Sequence, residues 1–279
     1  MISRVIGAII RALLVMLMLA TPALLLPGTS MDVMQVVTLV ALFAACLTFF
    51  EYASTYPGLI EFRDAPPFNR VRFGSLFLTI ILLSILNAGM IEESALSPFV
   101  AEIGAAVGET IDFPYSPVRL VVLMLPPDAT QMHVQLVRDS AGIAYFISLF
   151  TLAFFVILQR VRRWPTRNGG FNVWVNLPTF DPTAGGDVVE RLERDARFNI
   201  ALGFLLPFLT PAVIKSATSL FGTVSLESPQ TLIWTVAAWA FLPASLFMRG
   251  IAMSRIAMLI TEKRKLATKG EGNTGLLPA

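Results

Sequence analysis

The sequence predicts an all-α membrane protein: a polytopic bundle of six transmembrane helices, both termini in the cytoplasm, with short amphipathic helices at its surface. Three observations lead there. Six apolar stretches come near the roughly 20 residues that a helix needs to cross about 30 Å of hydrocarbon. Of the 279 residues, 55% are hydrophobic and only 14% charged, against roughly 45–50% and about 25% in a soluble domain. Finally, one topology puts 18 of the 21 Lys and Arg residues on a single side, with Arg119 and Arg138 opposite and Lys215 inside a span. Short basic loops stay in the cytoplasm, which orients the chain.

The first stretch runs from about Ile9 to Leu26, behind Arg4 and Arg11. It has the charge order of a secretory signal, but it ends in LLLPG without an A-x-A site, so an uncleaved span is expected. The second, Met34 to Phe50, holds Cys46, the single cysteine of the chain. One cysteine supplies neither a disulfide nor a thiolate metal site. The connection from Glu51 to Arg72 carries YPG and DAPPFNRVRF, whose prolines favour an extended, ordered turn across the cytoplasmic mouth. The third stretch, Phe73 to Ile91, contains Asn87.

The outer region, residues 92–140, is too long to be only a connector. In it SPFVAEIGAAVGETI places Phe99, Ile103 and Val107 on one helical face, the pattern of a short helix lying on the outer surface. RLVVLML, halted by Pro126 and Pro127, is too short to span and is expected to pack against the bundle, with a re-entrant dip as the alternative. The fourth span follows, from Ala141 to Leu158.

Residues 160–199 form a cytoplasmic loop that passes through NVWVNLPTFDP and closes on DVVERLERDARFN. Asp187 and Glu190 make a capping box, and Glu190 with Arg194, Arg191 with Asp195 and Glu193 with Arg197 stand at i,i+4. A short charged helix therefore leads into the fifth span, Ile200 to Phe221. Phe171, Trp174, Leu177 and Phe180 require the loop to be ordered, because disorder would leave these apolar side chains in water. The sixth span, Thr231 to Ala252, continues into a cytoplasmic C-terminal helix and tail at 253–279, basic and Met-rich, suited to the anionic leaflet or to a docked protein. The strings FRDAPPFN and ERDARFN, each ahead of an outward-running span, hint at a duplicated two-span unit. The whole chain, 1–279, reads as one integral membrane domain.

Function is approached by exclusion. A net charge of +2 with dispersed basic residues excludes nucleic acid as a partner. The sequence shows no G-x-S-x-G elbow, H-E-x-x-H pair or Walker loop. Its single histidine, His133, cannot build a metal site alone, so nothing points to an enzyme, a cofactor or a metal. No carboxylate lies near the middle of a span, which argues against an ion-coupled pump. Lys215, in the outer third of the fifth span, can snorkel to the headgroups or serve as an anion site. Pro207 and Pro211 should bend that span, lining a pathway or easing packing. With Asn87 these are the candidate pathway or packing residues.

The aromatic loop residues Trp164, Phe171, Trp174 and Phe180, with Arg70 and Arg72, are the candidate docking residues, since aromatic and Arg side chains favour interfaces. The sequence thus favours a non-enzymatic accessory, assembly or scaffold subunit of a bacterial inner-membrane complex. Its partners would be the bilayer and other membrane proteins or further copies of itself. The alternative is a passive channel or transporter for a small or anionic solute.

Overall fold

The computed structural model describes residues 2–162, 164–165, 171–181, 183, 185–221 and 226–274. Its elements, in chain order, are the helices α1 (Ile2–Leu25), α2 (Met31–Ala53), α3 (Phe68–Gly89), α4 (Ser97–Ile111), α5 (Pro117–Val122), α6 (Gln131–Val161), α7 (Val173–Asn176), α8 (Val188–Phe221) and α9 (Pro229–Thr274). Among the described residues there is no strand, and six helices, α1, α2, α3, α6, α8 and α9, are long and apolar enough to cross a bilayer. This is a multi-pass membrane protein. Inside hydrocarbon the helix satisfies every backbone donor and acceptor within one segment.

Local chemistry sets the helix ends. Gly28 takes φ +74° between α1 and α2, a backbone that glycine adopts freely. The hydroxyls of Ser116 and Thr130 accept from Arg119 N–H (3.0 Å) and His133 N–H (3.2 Å), capping α5 and α6. Pro67 immediately precedes α3, which begins at Phe68, five residues before the expected apolar start. Arg70 and Arg72 consequently lie on a helix and not in an extended turn. The hinted repeat also diverges here: RDAPP is a loop and only its following FN is helical, opening α3, whereas ERDARFN lies wholly inside α8.

Two apolar clusters hold the bundle. One joins Ile80, Leu83, Val118, Val137, Ile233 and Val236 toward the end that carries α4 and α5. The other gathers Phe62, Phe68, Phe155, Trp164, Leu192 and Met253 at the opposite end, where most arginines lie. Glycines bring the helices into backbone contact. A methyl on Gly203 would stand 2.7 Å from Pro243 O, and one on Gly250 would stand 2.7 Å from Ala196 O, so α8 and α9 touch at both levels. Close approach through small residues is how helices associate where lipid removes the hydrophobic drive.

The buried face of α4 differs from the expected one. Ser97, Val100, Gly104 and Gly108 are buried, while Phe99 and Ile103 are exposed. Gly108 and Gly142 explain the inversion: a Cβ on Gly142 would lie 2.6 Å from Gly108 Cα. Backbone proximity to α6 selects the small-residue face, and the larger apolar side chains turn outward. The RLVVLML segment becomes α5 and a following turn, with Pro117, Val118 and Val121 buried against the bundle. The final helix is longer than its span, one continuous α9 from Pro229 to Thr274.

Candidate functional site

The two strings that stand out in the sequence meet at the basic end. Phe62 N–H donates to Asn176 O (2.6 Å) and Asp64 N–H to Asn176 Oδ1 (3.0 Å), tying the loop before α3 to α7. Phe62 adopts a left-handed backbone, φ 53°, which costs roughly 1–2 kcal/mol; complete burial of its ring among Phe68 and Trp164 offsets this. Trp164 Nε1–H donates to Ala65 O at 3.0 Å. At the other edge of the loop, the Glu51 carboxylate accepts from the N–H groups of Gly58 (3.1 Å), Leu59 (2.9 Å) and Ile60 (3.0 Å). The segment between α2 and α3 is therefore a rigid strap.

Under this strap, between α1, α3 and α9, lies a chamber of about 1160 Å³. Arg11, Arg63, Arg70, Arg72 and Arg249 line it, and Glu61 is the only acid among its lining residues. Two of the five cations are matched. Arg249 grips Glu61 with Nε to Oε2 at 2.6 Å and Nη2 to Oε1 at 2.8 Å, and Thr179 Oγ1 donates to the same carboxylate at 2.7 Å. Arg63 pairs with Asp64 at 3.1 Å and donates to Glu51 O (2.9 Å) and Ser54 O (2.8 Å), the last carbonyls of α2. A cation at a helix C-terminus is well placed against the helix dipole.

The other three have no carboxylate partner among the described residues. Arg11 donates to Gly7 O at 2.6 Å and lies over the Tyr52 ring at 4.6 Å. Arg72 sits between the rings of Phe68 (5.4 Å) and Phe241 (5.8 Å), its Nε buried without an acceptor. Arg70 makes no hydrogen bond among the described residues. A guanidinium cannot shed its proton; Arg70 is exposed and keeps its water, whereas Arg11 and Arg72 are half-buried, so the cost of an unpaired charge falls chiefly on Arg72, whose Nε is desolvated.

The remaining candidates lie elsewhere. Trp164 and Phe180 are buried and Phe171 packs against the same cluster, so these rings fasten the loop to its own bundle. The side chain of Trp174 lies outside the described residues. Lys215 donates to Leu123 O just past α5. Pro211 deprives the Pro207 carbonyl of its helical donor, and Trp239 Nε1–H supplies a replacement at 3.1 Å. The Asn87 amide donates to Leu83 O at 2.8 Å, and its Oδ1 is buried without a donor.

Sequence reasoning marked Arg70 and Arg72 but not Arg11, Arg63, Arg249 and Glu61 as partners in one site. The available signal was the charge count itself: Arg11, Arg70 and Arg72 fall in the first turns of α1 and α3, Arg63 in the strap, and Arg249 where the expected sixth span nears its close. Among the described residues no group of three or more His, Cys, Asp or Glu comes together. No protein family, curated protein or solved structure matches this chain.

Proposed function

We propose that this chain is a non-enzymatic multi-pass membrane protein that binds a phosphate-bearing anion in the arginine chamber. The basic end then faces the cytoplasm of a bacterial inner membrane, in keeping with the distribution of Lys and Arg. The supporting observation is the charge imbalance: five arginines and one glutamate line one cavity, and among the described residues Arg11, Arg70 and Arg72 have no carboxylate within salt-bridge distance. Arg offers a planar fork of donors that matches phosphate oxygens in pairs, and such charge-assisted bonds are the strong ones. The one hydroxyl–carboxylate contact described on the chamber wall, Thr179 Oγ1 to Glu61, uses a carboxylate that Arg249 already grips, so the reading is capture and not turnover. This departs from the accessory-subunit expectation, because three of the aromatics that favoured docking, Trp164, Phe171 and Phe180, pack within the bundle.

The test is thermal unfolding of the detergent-purified full chain, titrated with inorganic phosphate and with an anionic phospholipid at constant ionic strength. A ligand at about 100 times its Kd adds about 2.7 kcal/mol of stability, so Tm should climb with concentration, and Arg72→Gln should flatten the climb. If neither probe moves Tm while other membrane subunits co-purify in stoichiometric amounts, the accessory-subunit reading replaces this one.

A further inference from the structure

We infer that the occupant of the chamber is an amphiphile, an anionic lipid whose phosphate monoester headgroup meets Arg11, Arg70 and Arg72 while its hydrocarbon leaves along α1. This step rests on the anion-binding reading above. Size argues first. At about 1160 Å³ the chamber exceeds the roughly 300–1000 Å³ of sites for drug-sized ligands, and a free phosphate would leave most of its wall unused.

The wall also changes character with depth. On α1 the lining climbs from Gly7 to Val15, about 12 Å at 1.5 Å per residue. Past Arg11 the α1 lining is Leu14 and Val15, and Phe73 and Leu246 add apolar wall from α3 and α9, with the Thr48 and Ser245 hydroxyls as the polar exceptions. Ile10 and Leu14 line the chamber and are also 53% and 38% exposed on a membrane-crossing helix, so the rim at that level opens onto hydrocarbon. Among the helices α2 packs only on α1, and its Thr48 and Tyr52 complete the wall on this flank. Charge sets the headgroup: a phosphate monoester carries about −1.5 to −2 at pH 7, a closer match to three unmatched guanidiniums than a single negative charge.

The experiment uses the full-length protein in detergent micelles, titrated separately with phosphatidic acid, phosphatidylcholine and glycerol 3-phosphate, with bound ligand counted by native mass spectrometry. Phosphatidic acid is expected to bind one per chain and at least about tenfold more tightly than glycerol 3-phosphate, since the chains bury methylenes that the soluble headgroup lacks. Phosphatidylcholine should not compete. Arg70→Gln and Arg72→Gln should each weaken phosphatidic acid by about tenfold. Leu14→Gln should weaken it and leave glycerol 3-phosphate unchanged; Val15→Thr, nearly isosteric, makes the same comparison if Leu14→Gln fails to insert. Glycerol 3-phosphate binding as tightly as phosphatidic acid overturns the amphiphile and leaves the anion reading standing. Phosphatidylcholine binding as well as phosphatidic acid, or no binding by any of the three, overturns both.

Discussion

Arg72 is held in place by neighbours that do not neutralise it, and that arrangement has opposite consequences for stability and for binding. Two aromatic faces recover part of the cost of desolvation, but the buried Nε keeps no acceptor. Arg72→Met should therefore raise the Tm of the ligand-free protein, by a free energy on the order of 1 kcal/mol, and abolish the further rise produced by an anionic ligand. A fall in Tm without ligand would contradict the idea that the charge is unmatched. Glu61 makes the mirror case, because it is the acid that Arg249 and Thr179 enclose. Glu61→Gln should cost roughly 1–3 kcal/mol in thermal unfolding while tightening anion binding, since the chamber gains a net positive charge. Lys215 shows why depth alone is a poor guide to such residues. The sequence exposes its position in an apolar run, but its reach to Leu123 O depends on α5 folding back onto α8, which no local pattern announces.

The helices were the legible part of this chain because membrane-crossing segments advertise themselves by composition. Their faces were less so. The large apolar residues of α4 marked a surface helix, yet Gly108 decides which face packs inward, since a Cβ there would stand 3.1 Å from Asp139 Cα and 3.3 Å from Arg138 O of α6. Gly142→Ala should accordingly destabilise the bundle by about 1–3 kcal/mol through overpacking. Gly74→Ala, where a methyl meets nothing within 4 Å, should be neutral or stabilising in the same thermal assay. The kinked α8 carries the same lesson: Trp239 meets the carbonyl that Pro211 sets free, a bond between residues 32 apart in sequence. At the start of α8 the cap was readable and its second duty was not. The Asp187 carboxyl is held below its ordinary value by Val189 N–H and then by the Arg264 guanidinium, which links α8 to α9. A lowered pKa stabilises the fold above the unfolded value near 3.9 and loses that effect as pH falls through the folded value. Amide exchange at Val189, corrected for intrinsic rate, should thus accelerate in acid, and Asp187→Asn should remove the dependence.

At the scale of the molecule the arginines do two jobs, and the two are one constraint. A multi-pass protein needs its basic residues at one end to be oriented; gathering them there also brings five of them around a single cavity. The strap between α2 and α3, locked to α7 through Asn176, roofs that cavity. This joint was invisible in one dimension because its two halves lie more than 100 residues apart, although both strings stood out by composition. The chamber is therefore a by-product of topology that side-chain placement has refined, which makes orientation the premise that most needs a direct measurement. In a Cys46→Ser background, a cysteine at Glu93 should react with a membrane-impermeant maleimide in intact spheroplasts. A cysteine at Thr183, exposed in the loop before α8, should react only after permeabilisation. The reverse pattern would turn the chamber to the outside, where the anionic inner leaflet that could supply its ligand does not reach, and the cytoplasmic site would have to be abandoned.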